Sequence, residues 1–138
     1  RKSVEHCITV KHEEDFILAK IDARLIVQVI INIVDNAIKY TPKGSHIQIK
    51  TRKQDEHVIV TVADDGEGIS DELKPKVFDM FYSGANKIAD SRRSLGLGLS
   101  LCKSIIHAHG GTISVSDNIP HGTVFTFTLP AEEAQIHE

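Results

Sequence analysis

Asp64 closes a run of alternating residues, His57-Val58-Ile59-Val60-Thr61-Val62, and leads at once into Asp65-Gly66-Glu67-Gly68-Ile69. A carboxylate at the end of a buried strand, beside two glycines, faces open space because no Cβ fills it. Such a group can accept a hydrogen bond from an exocyclic amine, although the same letters also describe a plain turn. Gly96-Leu97-Gly98-Leu99 stands at the start of a helical pattern. Free N–H groups and the positive end of the helix dipole gather there, and the missing side chains let a phosphate come close. It is not the dinucleotide fingerprint, because Leu101 holds the place of the third glycine and a long loop precedes it; G-x-x-x-x-G-K-[ST] occurs nowhere. A third group lies in Gln28–Pro42. At about 100° per residue, Asn32, Asn36 and Lys39 fall on one narrow strip beside an apolar arc of Val29, Ile30, Ile33, Val34 and Ala37. Amides are costly to bury without partners, so these two either bond to nearby backbone or border an occupied cavity. Taken together, an amine acceptor, an anion-binding helix start and the amide oxygen of Asn36 outline a site for Mg²⁺ and a nucleotide. That cation usually takes one or two protein oxygens, with phosphate and water supplying the rest.

The elements that must position these groups are readable in order. Residues 7–11 and 16–21 read as short strands around the acidic turn His12-Glu13-Glu14-Asp15. Asp22 is an N-cap for a helix running to Tyr40, ended by Thr41-Pro42-Lys43-Gly44. Residues 46–51 and 57–62 alternate and form a hairpin through Lys53-Gln54-Asp55-Glu56. Ser70 then caps a short helix with Glu72 in its first turn and Val77, Phe78 and Phe81 facing a core. Periodicity vanishes from Tyr82 to Leu95, a loop carrying Lys87, Arg92 and Arg93. A second helix reaches His109 and is closed by Gly110-Gly111; strands at 112–116 and 123–129 flank the turn Asn118-Ile119-Pro120-His121-Gly122, and Pro130 ends the fold. The expected fold class is an α/β (α+β) sandwich: a mixed, mainly antiparallel sheet of about five strands covered on one face by about three helices.

Bulk properties narrow the function classes. The 138 residues fit one domain, with 41% apolar and 25% charged residues. A net charge of −3 and 5% aromatics, without Trp, argue against nucleic acid as a partner. Cys7 and Cys102 form no paired ligand pattern and are expected to be reduced thiols. No apolar run is long enough to span a bilayer, so no direct membrane contact is expected.

The motifs, in this order, resemble the ATP-binding catalytic domain of sensor histidine kinases, in the wider group that includes gyrase B, Hsp90 and MutL. Residues Asn32 to Pro42 look like the N box, and Asp64-x-Gly66-x-Gly68-Ile69 like the first glycine box. Val77 to Tyr82 resembles the F box, Gly96-Leu97-Gly98-Leu99 the second glycine box, and Gly122-Thr123-Val124-Phe125 the closing glycine motif. The string from Phe81 through Leu99 looks most like Kdp-type potassium-responsive sensor kinases. Many relatives carry a further glycine where this chain has Ser94-Leu95, a stiffer hinge.

The resemblance implies roles. Asn36 would ligate Mg²⁺, Asn32 would support the phosphate end and Lys39 would neutralise phosphate charge. Tyr40 would pack against the purine, Asp64 would accept from the adenine amine, and Gly66, Gly68 and Ile69 would shape the pocket. Gly96, Leu97, Gly98, Leu99 and Thr123 complete the implied ATP contacts. Residues 82–95 would be a mobile lid from which Lys87, Arg92 or Arg93 reaches the γ-phosphate. The acceptor histidine is expected elsewhere, because none of the eight His stands in an H-E-x-x-T-P setting. The implied partners are a histidine-bearing dimerisation domain of the same protein and a cognate response regulator. The chain itself is expected to be a monomeric, cytoplasmic part of a cell-membrane sensor kinase. The rival reading is an ATPase of the gyrase type or a regulatory ATP-binding module. Those ATPases place a general-base Glu where this chain has Asn32, an amide that cannot take a proton from water.

Overall fold

The computed structural model describes residues 7–12, 18–19, 21–79 and 95–132. Its elements are β1 (Cys7–His12), β2 (Leu18–Ala19), α1 (Ala23–Tyr40), β3 (His46–Gln54), β4 (His57–Asp64), α2 (Leu95–Ala108), β5 (Thr112–Asp117) and β6 (Thr123–Glu132). The main sheet is mixed, ordered β1-β3-β4-β6-β5, and the two-residue β2 pairs with the far end of β6. β3–β4 and β5–β6 are the expected antiparallel hairpins. The two N-terminal strands part company: β1 runs parallel to β3, with Ile8 opposite Ile47, while β2 places Ala19 opposite Ala131. A parallel neighbour requires a crossover, and α1 supplies it.

Local chemistry sets the helix ends. The Asp22 carboxylate accepts from the N–H groups of Arg24 and Leu25 at 3.1 and 3.4 Å, as an N-cap should. The C-terminus of α2 closes with Gly111 N–H donating to Ile106 O and Gly110 N–H to His107 O, with Gly110 at φ +80°, a Schellman turn. His109 joins the two ends. Its Nε2 accepts from Asp22 N–H at 3.0 Å while Nδ1 lies 2.8 Å from Ile105 O, so the ring proton sits on Nδ1.

Two expectations need correction. The third helix, expected from Ser70 onward, is a single 3-10 turn at Lys74–Lys76; the described residues hold two α-helices. Ser70 acts through its carbonyl, which accepts from Leu73 and Lys74 N–H, and Pro75 then withholds the donor that the next helical bond needs. Pro130 does not end the fold but lies inside β6, opposite His57. Ala131 N–H donates to Glu56 O on the β4 side, so the N–H missing from Pro130 would have pointed the other way, into the gap between β5, whose described pairing reaches Thr128, and β2, whose described pairing begins at Ala131.

Both helices pack on one face of the sheet. Ile26, Val29, Ile33, Ala37 and Ile38 of α1 and Leu99, Cys102, Ile105 and Ile106 of α2 meet Val58, Val60 and Val62 of β4 and Phe125, Phe127 and Leu129 of β6 in one apolar core. Phe78 closes it with an edge-to-face contact on Phe125, centroids 6.0 Å apart. Cys102 is a free, buried thiol whose burial pushes its pKa up to about 11.

Candidate functional site

The alternation of β4 decides which acidic residue matters. Val58, Val60 and Val62 point inward, and the next inward position is Asp64, only 6% exposed. Its Oδ1 accepts from Gly66 N–H at 2.9 Å and from Thr123 N–H at 3.2 Å. Oδ2 makes no hydrogen bond among the described residues. Burial raises the Asp64 pKa, the two amides oppose that rise, and the neighbouring Asp65 charge adds to it. Asp65 points the other way. Although slight burial works against its charge, the His46 N–H at 2.8 Å and the His46 ring at 3.3 Å hold its pKa below the usual value.

Asp64 sits at the narrow end of an open space. A recess of about 50 Å³ is lined by Asp64, Thr123, Thr41 and Asn36. It shares Asn36, Tyr40, Glu67, Gly68, Ile69 and Phe125 with a cavity of about 290 Å³ that is also walled by Ser70, Leu73, Val77 and Leu99. The larger space is thus mostly apolar-walled, with one carboxylate and one amide at its edges.

Of the expected site residues, Asn36, Tyr40, Asp64, Gly68, Ile69, Leu99 and Thr123 come together on these walls. Asn36 finds no hydrogen-bond partner among the described residues. Gly66 lies just behind: a Cβ there would come 2.7 Å from Thr41 Cγ2, so its bareness lets the end of α1 close on the loop. Gly96, Leu97 and Gly98 fall within the first turn of α2, whose N–H groups lack intrahelical acceptors. A Cβ on Gly98 would meet nothing nearer than Asn32 Cγ at 4.0 Å, so packing does not demand glycine there.

Asn32 and Lys39 do not line the cavity. Asn32 lies in the seam between the helices, accepting from Gln28 Nε2 at 2.9 Å with its own Nδ2 3.5 Å from Gly98 O. Lys39 pairs with Asp35 at 3.1 Å along α1. Lys87, Arg92, Arg93 and Phe81 lie outside the described residues. Sequence reasoning missed Gln28, whose spacing of one turn from Asn32 was the available signal, and the wall residues Glu67 and Leu73, for which no pattern gave one. Among the described residues no group of three or more His, Cys, Asp or Glu is placed to hold a metal, and no helix is long and apolar enough to cross a membrane.

Residues 21–133 match the family model described as histidine kinase-, DNA gyrase B-, and HSP90-like ATPase. The sensor protein KdpD of Clostridium acetobutylicum is 46% identical over 127 residues, 92% of this chain but 14% of that protein. The sensor histidine kinase WalK of Bacillus subtilis is 39% identical over 118 residues, 84% of this chain and 19% of its own length. The chain therefore spans less than a fifth of either relative. Among solved structures, the nucleotide-free catalytic domain of the histidine kinase ThkA superposes with a TM-score of 0.80 at 33% identity, over 94% of this chain and 81% of that one. ThkA in complex with the response regulator TrrA gives 0.77 at 31% identity, over 95% of this chain and 36% of that one.

Proposed function

Because the chain belongs to the family of histidine kinase-, DNA gyrase B-, and HSP90-like ATPases, we propose that it binds Mg–ATP and donates the γ-phosphoryl group to a histidine on a separate dimerisation domain of the same sensor kinase. The observation that carries this reading is Asp64: a carboxylate buried at the end of a cavity, with one oxygen fixed by two amides and the other left for a ligand amine. An adenine amine supplies the donor that such an acceptor needs. The apolar walls from Ile69, Val77, Leu99 and Phe125 suit a purine face.

The phosphate end follows from α2. Its first turn offers N–H groups that lack intrahelical acceptors, beside Gly98, where packing does not require glycine. Asn36 fits a hard cation, since its amide borders both cavities and has no partner among the described residues. Bound Mg²⁺ would draw charge from the phosphate oxygens. Lys87, Arg92 and Arg93, on a proposed lid at 82–95, would meet the γ-phosphate; that assignment comes from the sequence alone. Lys39, now paired with Asp35, would have to leave it to reach phosphate.

In the transfer itself an imidazole nitrogen of the acceptor attacks the γ-phosphorus, a P–N bond forms as the P–O bond to ADP breaks, and ADP leaves with the electron pair. The chain's own contribution is positioning and charge neutralisation. Hydrolysis is disfavoured because Asn32 is an amide already engaged by Gln28. The wider protein is proposed to be a Kdp-type sensor at the cell membrane, with this domain on the cytoplasmic side and a response regulator as the next phosphoryl acceptor. A thermal-shift titration tests the core of the reading: Mg–ATP at about 100 times its Kd should add about 2.7 kcal/mol of stability. An unchanged transition at millimolar Mg–ATP would remove it.

A further inference from the structure

The turn between β5 and β6 is a short connector in the sequence, yet in the structure its bonds converge on the loop that carries Asp64. Asn118 Nδ2 donates to the Asp64 main-chain O at 2.7 Å, and Asn118 Oδ1 accepts from Ile119 N–H at 2.9 Å, which fixes the orientation of that amide. His121 Nδ1 lies 3.0 Å from Gly66 O; a carbonyl only accepts, so this nitrogen carries the proton. Gly122 passes so close that a Cβ would stand 1.9 Å from Asp64 O, and its φ of +116° belongs to glycine. Lys74 ties down the far end of the same loop, donating to Ile69 O at 3.0 Å and pairing with Asp71 at 2.6 Å and with Asp117, the last residue of β5, at 2.9 Å.

These contacts bear on the carboxylate itself. Two amides orient Asp64 Oδ1, those of Gly66 and Thr123. Thr123 is the first residue after the turn, and Gly66 is the residue whose carbonyl His121 holds. Both donors are therefore placed by the turn, one directly and one through His121. The geometry points to Asn118 and His121, with Lys74 behind them, as positioning residues that aim the free oxygen of Asp64 and so set the preference for a 6-amino over a 6-oxo purine nucleotide. This rests on the reading of Asp64 as the base acceptor. A carboxylate free to turn would still meet a purine but would discriminate poorly, since discrimination comes from a fixed acceptor facing an amine or an oxygen.

The test compares Kd values for Mg–ATP and Mg–inosine triphosphate, which carries an oxygen where ATP carries the amine, by calorimetry on the full chain well below each variant's thermal transition. In His121→Ala and Asn118→Ala the preference for ATP should fall about tenfold, while inosine triphosphate affinity stays within about twofold. His121→Gln, which retains a side-chain donor, should restore most of the preference. Lys74→Met is the independent variant should either alanine variant fail to fold, and it should lower the preference in the same sense. A preference kept in folded variants, or ATP and inosine triphosphate affinities falling in parallel, would overturn the proposal. If the wild-type chain and Asp64→Asn prefer neither nucleotide, the assignment of Asp64 itself fails and the positioning role falls with it.

Discussion

Asp64 occupies a position where the alternation of β4 calls for an apolar side chain, and burial raises its pKa. A buried carboxylate with a raised pKa holds its proton more tightly in the folded state than in the unfolded chain. Its contribution to stability therefore falls as pH rises from the ordinary carboxylate range through the raised native value, and the penalty persists at neutral pH. Asp64→Asn removes that penalty. The variant should gain stability relative to wild type between acid and neutral pH, read as a pH-dependent difference in urea midpoints. The same substitution should weaken ATP binding by about ten- to a hundredfold, the equivalent of one charge-assisted hydrogen bond. Wild-type ATP affinity in Asp64→Asn would remove the residue from the site. The opposite alternation accounts for Asp65, turned outward to His46.

Among the elements, α1 is held at its start by Asp22 and carries Asn36 and Tyr40 at its other end, a full helix away. Asp22→Ala should cost about 1 kcal/mol in denaturant unfolding and leave ATP affinity unchanged, since among the described residues the carboxylate bonds only to the N–H groups of Arg24 and Leu25. Much of this level was legible in advance. The cap, the strip bearing Asn36, the β3–β4 hairpin and the inward parity of Asp64 all follow from patterns within a few residues. Partners distant in sequence were not legible: nothing in 7–11 or 16–21 says that these strands go to opposite sides of the sheet, because that choice is made by the crossover through α1. The helix expected after Ser70 lost to Pro75. Asn118 and His121 read as turn residues, because their role depends on a loop more than fifty residues earlier in the chain.

At the scale of the molecule, the proposed function makes the domain a nucleotide holder whose acceptor histidine lies on a separate domain. Incubated alone with γ-labelled ATP, the chain should acquire no stable label and turn over little ATP. When a separate acceptor domain bearing the histidine helix is added, label should move to that domain and depend on Mg²⁺; labelling of the isolated chain would contradict the division of labour. In the proposed site one cavity reads a purine at Asp64 and holds its phosphates at Asn36 and the start of α2. A crystal structure with Mg²⁺ and a non-hydrolysable ATP analogue tests it most directly. The expected density places the adenine amine within hydrogen-bond distance of Asp64 Oδ2 and a metal on Asn36 Oδ1. A purine lodged elsewhere, or a metal held without Asn36, would contradict it.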